Sequence, residues 1–303
     1  CSSDLTGKPK PLMVEKRRML NSARITCDFL GLKPGDTALL CMPLDYIAGK
    51  MMVVRSLQRD LRLTSVRPSS HPLADDTLPS FTFAAMVPMQ VYNSLKVPCE
   101  RERLMRIRHL IIGGGAISDE LAQMIKPLPN AVWSTYGMTE TLSHIALRRL
   151  NGPDASLWYT PFDGVGISLN ADGCLVIDAP EVCAEPLVTN DIAQLRTDDR
   201  TGKTLFRIKG RKDNVVCSGG IKIQIEEVEE ALRPHLSAPF MIVKKQDEML
   251  GEKAILLTES ADLTHIEEIC RNTLPKYWVP REFLHIDHLP LTETGKPKRS
   301  GAF

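Results

Sequence analysis

The chain has 303 residues, about two domains' worth at roughly 150 residues each, and is long enough to bury real cores. Thirty-eight Lys and Arg against 37 Asp and Glu leave a net charge of +1, so no whole-chain field draws it to nucleic acid or to an anionic membrane. Apolar residues at 43% and charged residues at 25% exclude a disordered, collagen-like or coiled-coil chain.

Across residues 16–30, Leu20, Ala23, Cys27 and Leu30 recur at three- and four-residue steps, and Gly31 with Pro34-Gly35 supplies a stop. That pattern predicts an amphipathic helix. Residues 37–42 read as a short buried strand, and 46–57 as a helix entered from the turn at Pro43. Residues 109–112 form the next strand, followed by Gly113-Gly114-Gly115 and a helix capped by Ser118 with Asp119 and Glu120 in its first turn. Residues 130–134 are a further strand. The alternation predicts an α/β layer, a parallel-type sheet covered by helices.

Near Asn151 the character changes. Residues 165–207 read as short strands joined by turns, with Asp172-Gly173 between 166–169 and 174–177, and Thr201-Gly202 before 205–208. A small antiparallel β subdomain is expected there. From Arg211 onward come a Gly219-Gly220 turn and a helix with Ile225, Val228, Ala231 and Leu232 on one face. Strands at 240–244 and 253–258 and a helix at 263–274 complete an α+β unit. The expected organisation is an N-terminal domain over residues 1–209, divided into an α/β layer over residues 1–150 and a β subdomain over 151–209, and a C-terminal domain over 210–303.

The eight cysteines form no C-x-x-C pair and no zinc-spaced cluster with histidine, so free thiols in a reducing cytoplasm are expected. Apolar stretches fall well short of the ~20 residues of a membrane span, and no signal-like segment opens the chain. A cytoplasmic chain with no membrane span and no nucleic-acid partner follows as the expectation.

Four segments carry chemistry, each with a plainer alternative. Residues 2–10, Ser-Ser-Asp-Leu-Thr-Gly-Lys-Pro-Lys, combine hydroxyls, a glycine and two lysines, suited to wrapping phosphate oxygens or to fraying in solvent. Gly113-Gly114-Gly115 lets bare backbone approach a ring or a phosphate, or merely turns the chain. Tyr136-Gly137-Met138-Thr139-Glu140-Thr141 places a stacking ring, two hydroxyls and a carboxylate after a strand. Mg²⁺ favours such a carboxylate together with phosphate oxygens, although a polar loop has the same composition. Residues 291–299 present Lys296, Lys298 and Arg299 on a Gly-Pro turn, able to reach a developing negative charge or simply to be solvated.

Together and in this order, the segments resemble the adenylate-forming superfamily of acyl-CoA synthetases, adenylation domains and luciferases. Residues 2–10 resemble its phosphate loop ending in G-x-P-K, with Thr6, Gly7 and Lys10 at the motif positions. Gly113 to Ala116, including Gly114 and Gly115, is similar to the segment flanking adenine, and Tyr136 to Glu140 to Y-G-x-T-E. Thr189-Asn190-Asp191 is similar to T-G-D, whose Asp holds the ribose hydroxyls. Gly210-Arg211-Lys212-Asp213 resembles the G-R-x-D hinge, Ser218-Gly219-Gly220 the loop beyond it, and Thr294-Gly295-Lys296 the catalytic-lysine loop. Ser143-His144-Ile145-Ala146 is most similar to the o-succinylbenzoate-CoA ligase branch, which serves menaquinone biosynthesis.

The resemblance implies an ATP- and Mg²⁺-dependent acid-thiol ligase using coenzyme A. It assigns Lys296, Glu140 and Thr139 to catalysis, with Glu140 on Mg²⁺. Thr6, Gly7, Lys10, Gly114, Gly115, Ala116, Tyr136, Gly137, Asp191 and Arg211 bind nucleotide, and Asp213 is the pivot. Ser218, Gly219, Gly220 and Lys222 line the coenzyme A route, and Tyr46, Ser143 and His144 meet the carboxylic acid. The sequence departs from the pattern in three places: Asp4 for a glycine of the phosphate loop, Asn190 for the glycine before the ribose aspartate, and Asp45-Tyr46 for an aromatic-histidine pair. Relatives carry a long region before the phosphate loop, so this chain is either a short variant or lacks upstream residues. Three alternatives remain: another aryl or fatty acid, a carrier-protein acceptor, or a nucleotide-binding module without turnover. A sheet edge able to self-pair also points to a homodimer.

Overall fold

The computed structural model describes residues 2–3 and 10–11 as backbone, and residues 13–115, 117–290 and 298–299 in full. Two short strands, β1 (Ser2–Ser3) and β2 (Lys10–Pro11), pair antiparallel. Helix α1 (Lys16–Phe29) leads to β3 (Thr37–Leu40), α2 (Ile47–Arg59), β4 (Arg62–Ser65), β5 (Phe83–Met86), α3 (Pro88–Lys96) and α4 (Pro98–Met105). Then follow β6 (His109–Ile112), α5 (Asp119–Ile125), β7 (Ala131–Met138), β8 (Ser143–Arg149) and β9 (Thr160–Pro161).

Strands β4-β3-β5-β6-β7-β8-β9 form one sheet in that order. The first five pair in parallel, as the alternating pattern predicts, and β8 and β9 add on antiparallel. Parallel strands are covered on both faces, which is why Phe83, Ala84, Ala85 and Met86, or Leu110, Ile111 and Ile112, are buried without alternation. Helices α1 and α2 pack together against β3, β4 and β8, while α3 packs with α4 and α5. Helix α2 begins at Ile47, with Tyr46 as its extended N-cap.

The next strands are β10 (Gly166–Leu169), β11 (Cys174–Asp178), β12 (Leu187–Thr197) and β13 (Thr204–Arg211), neighbours in sequence and in sheet order. A 3₁₀ turn over Lys212–Asn214 precedes β14 (Val215–Ser218), β15 (Ile221–Gln224), α6 (Ile225–Leu232), β16 (Phe240–Asp247), β17 (Gly251–Thr258), α7 (Leu263–Thr273) and β18 (Glu282–His285). The β14–β15 hairpin turns on Gly219 and Gly220 with φ of 57° and 83°, the left-handed pair a two-residue turn needs. Along β16 and β17, Ile242, Ala254 and Leu256 face a core shared with Val228, Leu232, Ile266 and Cys270 of the helices. The alternate residues Met241, Val243, Ile255 and Leu257 pack with Ile286 and Leu289.

The chain divides into two compact units, Cys1–Ser168 with Val176–Leu187 and Leu195–Arg207, and Leu169–Leu175 with Val188–Gln194 and Ile208–Phe303. Cysteines 27, 41, 99, 174, 183, 217 and 270 are free thiols. Among the described residues no helix is long and apolar enough to cross a membrane.

Candidate active site

In the first unit, two of the segments singled out from the sequence, Gly113 to Gly115 and Tyr136 to Thr141, lie at the carboxyl ends of the parallel strands β6 and β7, where open α/β sheets bind ligands. Leaving β6, Gly113 donates its N–H to Met86 O at 3.1 Å, and a Cβ there would meet Thr135 Oγ1 at 2.5 Å. Gly114 has φ of +78°, so bare backbone is required twice in succession. Gly114 and Gly115 are exposed; Ala116 lies outside the described residues. From the end of β3 the chain passes Pro43 to Tyr46, where Tyr46 is exposed. Gly49 of α2 sits so close to Pro43 O that any Cβ would overlap it.

Strand β7 continues to Met138, four residues beyond its expected end at Ser134, so Tyr136 and Gly137 lie in the sheet rather than in a loop. The pairing to β8 slips between Tyr136 and Gly137, and a Cβ on Gly137 would overlap Ser143 O and His144 Cα. The ring of Tyr136 packs on Tyr159 and Phe206, with centroids 5.8 and 5.0 Å away. Thr139 and Glu140 occupy the turn that follows. Thr141 buttons this turn: its hydroxyl accepts Met138 N–H at 2.9 Å and donates to Ser143 O at 2.5 Å. Leu142, fully buried, takes a left-handed φ of 61°. One carboxylate oxygen of Glu140, Oε2, is buried without a hydrogen-bond partner among the described residues. Such an oxygen fits a cation. Among the described residues no cluster of three or more metal-ligating side chains exists.

Ser143 and His144 open strand β8. His144 is buried: Nε2 lies 3.1 Å from Thr26 Oγ1 and Nδ1 lies 3.1 Å from Ser143 Oγ, so both ring nitrogens are occupied within the protein. Ser143 Oγ in turn accepts from Arg55 at 2.7 Å. Arg55, 1% exposed on α2, belongs to none of the sequence motifs. Its signal is its place three and four residues after Met52 and Met51 on the helix's buried face. Among the described residues its Nε has no hydrogen-bond partner, and no carboxylate pairs with it. Burial pushes its pKa down to about 10, so it stays cationic at neutral pH.

Burial and the Arg55 charge hold His144 well below the usual imidazole range. The unfolded chain takes up that proton near pH 6.5 and the folded one does not, so stability is fully present above 6.5 and is lost as pH falls below it. Urea denaturation is expected to show a loss of up to ~1 kcal/mol per pH unit from 6.5 toward 5. His144→Gln should flatten that slope.

In the second unit, Thr189 Oγ1 donates to Leu175 O at 2.9 Å and accepts the Asp191 N–H at 3.1 Å, fixing the backbone at Asp191. Arg211 reaches Asp191 Oδ1 at 3.4 Å and Asp213 Oδ2 at 3.1 Å. Asn190 donates to the same Asp213 oxygen at 3.5 Å. Asn190, Asp191, Arg211 and Asp213 are thereby linked. Glu226 accepts from Arg211 N at 3.3 Å, from Asn214 Nδ2 at 2.5 Å and from Gln224. Gln224 also donates to Arg211 O at 3.0 Å. Gly210 lies under this clamp, where a Cβ would meet Glu226 Oε2 at 2.5 Å. Gly210→Ala is therefore expected to lower the second unit's stability by ~1–3 kcal/mol in a denaturant melt. Ser218, Gly219, Gly220 and Lys222 form the tip of the β14–β15 hairpin, with Cys217 exposed opposite Lys222. Thr6, Gly7, the Lys10 side chain and Lys296 lie outside the described residues.

A glycine turn at the end of β6, an aromatic ring at the end of β7 and a carboxylate oxygen beyond it that is unpartnered among the described residues suit a nucleotide-using α/β enzyme. The family model for the AMP-binding enzyme matches residues 3–184, and the chain belongs to that family. It is 25% identical to the 2-succinylbenzoate--CoA ligase of Bacillus mycoides over 97% of this chain and 67% of that protein. It thus spans about two thirds of that relative's length. Among solved structures, an acyl-CoA synthetase (AMP-forming)/AMP-acid ligase II-like protein from Dyadobacter fermentans is 34% identical, with TM-score 0.67 over 98% of this chain and 86% of that one. The o-succinylbenzoate CoA synthetase of Bacillus subtilis with its acyl-adenylate OSB-AMP superposes with TM-score 0.79 at 22% identity, over 99% and 67% of the two chains, and shares the fold.

Proposed function

We propose that the protein adenylates a carboxylic acid with ATP and passes the acyl group to coenzyme A, with o-succinylbenzoate as the acid and menaquinone biosynthesis as the setting. The carboxylate oxygen attacks the α-phosphorus, pyrophosphate leaves, and an acyl-AMP anhydride forms. The coenzyme A sulfur then attacks the acyl carbon, and AMP departs with the electrons of the broken C–O bond. No side-chain nucleophile is needed, so the chain's work is positioning and charge stabilisation.

Tyr136 flanks the purine, with Gly114, Gly115 and Ala116 giving it flat backbone and Gly137 keeping the bulge that seats it. Asp191 and Arg211 serve the ribose, and Thr6, Gly7 and Lys10 the phosphates. Glu140, beside Thr139, is the residue to hold Mg²⁺, which when bound supplies charge neutralisation at phosphate oxygens. Lys296 bridges acid and phosphate. Asp213 is the pivot of a C-terminal domain that begins near residue 210 and brings Ser218, Gly219, Gly220 and Lys222 to the thiol route. A reducing cytoplasm suits the free thiols.

The observation that supports the reading most is Glu140 Oε2, a buried carboxylate oxygen with no hydrogen-bond partner among the described residues, in the turn after β7. The acid's identity is supported by Arg55, whose uncompensated charge beside Ser143 favours an acid with a second carboxylate, as o-succinylbenzoate has. His144 contributes by holding Ser143, and Tyr46 by its exposed ring.

The test is pyrophosphate release and thioester formation with a panel of acids, o-succinylbenzoate and monocarboxylic aryl and fatty acids among them, against coenzyme A and carrier-protein acceptors. Thioester from o-succinylbenzoate and coenzyme A is the expected result. ATP binding with no pyrophosphate exchange for any acid would make the protein a nucleotide-binding module instead. Self-pairing along the short edge strand β4 is expected to show as a dimer by sedimentation at micromolar concentration.

A further inference from the structure

At the exits of β3, β4 and β5 the chain is held by one buried amide that the reading above does not use. Gln90, 4% exposed in the first turn of α3, donates through Nε2 to Cys41 O at 3.1 Å and to Ser69 O at 2.9 Å, and accepts the Val87 N–H through Oε1 at 3.2 Å. Cys41 follows the last residue of β3, Ser69 lies four residues beyond β4, and Val87 follows β5. Both amide hydrogens are spent on carbonyls and the oxygen on an N–H, so the group has one workable orientation.

The bond to Val87 is an ordinary helix cap, since a Gln or Glu at the third helical position reaches back to the N-cap N–H. Capping does not explain the two bonds to strand exits. The ladder between β3 and β5 ends at Leu39 opposite Ala84. Past that rung, Cys41 Sγ donates to Ala85 O at 3.5 Å, a weak thiol bond, and the Gln90 amide spans Cys41 O and Val87 N. These two exits lead to different substrate segments. From Cys41 the chain runs through Pro43 to Tyr46, assigned above to the acid. From Val87 it backs the glycine turn assigned to the nucleotide: a Cβ on Gly114 would touch Val87 Cγ1 at 3.5 Å, and one on Gly115 would press on Pro88 Cγ at 3.3 Å.

We infer that Gln90 is a positioning residue for acyl-adenylate formation, a strut that sets the acid segment leaving β3 against the nucleotide turn backed by Val87. The inference rests on the reading of the protein as an adenylating ligase. Each segment is complete without Gln90, so each substrate alone binds about as well. What the strut supplies is the relation between the two, which a displacement joining separate molecules needs and the binding of one does not. Once acid and AMP share a covalent bond, the anhydride fixes that relation itself and the strut has no further part.

The experiment measures two rates on one preparation: single-turnover pyrophosphate release from ATP and the acid turned over in the panel above, with o-succinylbenzoate expected, and thioester formation from the corresponding acyl-adenylate and coenzyme A. Gln90→Met, similar in length and without donors, is expected to slow the first by ~10–100-fold at saturating substrates, to leave KM for ATP and for the acid within ~3-fold, and to change the second by less than ~3-fold. Gln90→Glu keeps a side chain able to cap α3 but turns an oxygen toward the two carbonyls, so its first rate should fall as far. The ratio of the two rates cancels any loss of folded protein. A ratio unchanged in Gln90→Met, a ratio restored in Gln90→Glu, or a loss carried by KM with the saturated rate intact would overturn the inference. Wild-type enzyme run alongside separates two failures. If it releases pyrophosphate and the variants keep its ratio, the strut alone is wrong; if it releases none with any acid, the ligase reading falls and the strut with it.

Discussion

Lys296→Ala is expected to lower acyl-adenylate formation by ~10²–10³-fold, the loss seen when one donor to a developing oxyanion is removed, while attack of coenzyme A on preformed acyl-AMP keeps most of its rate. The reason lies in where charge moves. In the first step negative charge gathers on phosphate oxygens as the carboxylate displaces pyrophosphate, and the contact of an ammonium bridging acid and phosphate is stronger in that transition state than in the ground state. In the second step the incoming group is a thiol, and the same ammonium has no developing charge of that kind to meet. Paired half-reaction measurements read the two steps independently. Equal loss in both would show that Lys296 supports the structure and not the first displacement.

How far the sequence carries the fold varies from element to element, for physical reasons. Helix α1 and strand β6 are visible because their burial is periodic or continuous and their ends carry Gly31 or the three glycines at 113–115. The hairpin at Gly219-Gly220 is visible because a two-residue turn with both φ positive demands that dipeptide. Strand β18 has no such signal: Glu282–His285 is half charged or polar and is held by parallel pairing with β17, a contact that no local pattern announces. Strand β7 reads as ending at Ser134 because Tyr136-Gly137 looks like loop sequence, whereas a bulge in a sheet also calls for glycine. The site shows the same division. Tyr136 and Glu140 in the first unit, and Asp191 and Arg211 in the second, are legible as candidates one by one, since each is a chemical type at a fixed spacing. Their supports are not, because Thr141 closing the turn, Glu226 gripping Arg211 and Arg55 beneath Ser143 depend on distances between residues remote in sequence or on burial.

Arg55 gives the sharpest opposition between stability and activity. A guanidinium that is 1% exposed, with no carboxylate partner among the described residues, is costly to bury, and burial alone already pulls its pKa down to about 10. Arg55→Met replaces it with an unbranched apolar side chain of comparable reach beside Met51 and Met52, and leaves Ser143 its contact with His144. The first unit is expected to hold or raise its melting temperature by ~2–4 °C, as for about 1 kcal/mol in a domain of this size. Activity should move the other way. With o-succinylbenzoate, kcat/KM is expected to fall ~10²-fold, the loss of about 3 kcal/mol that accompanies a charge-assisted contact. With an aryl acid bearing one carboxylate, whatever its basal rate, the change should stay within ~3-fold, because that carboxylate is consumed at the phosphorus and leaves nothing for Arg55 to attract. Thermal melts and kinetics on both acids read the two signs separately. If the two acids lose activity in the same proportion, Arg55 shapes the strand beneath Ser143 and does not select the substrate by charge.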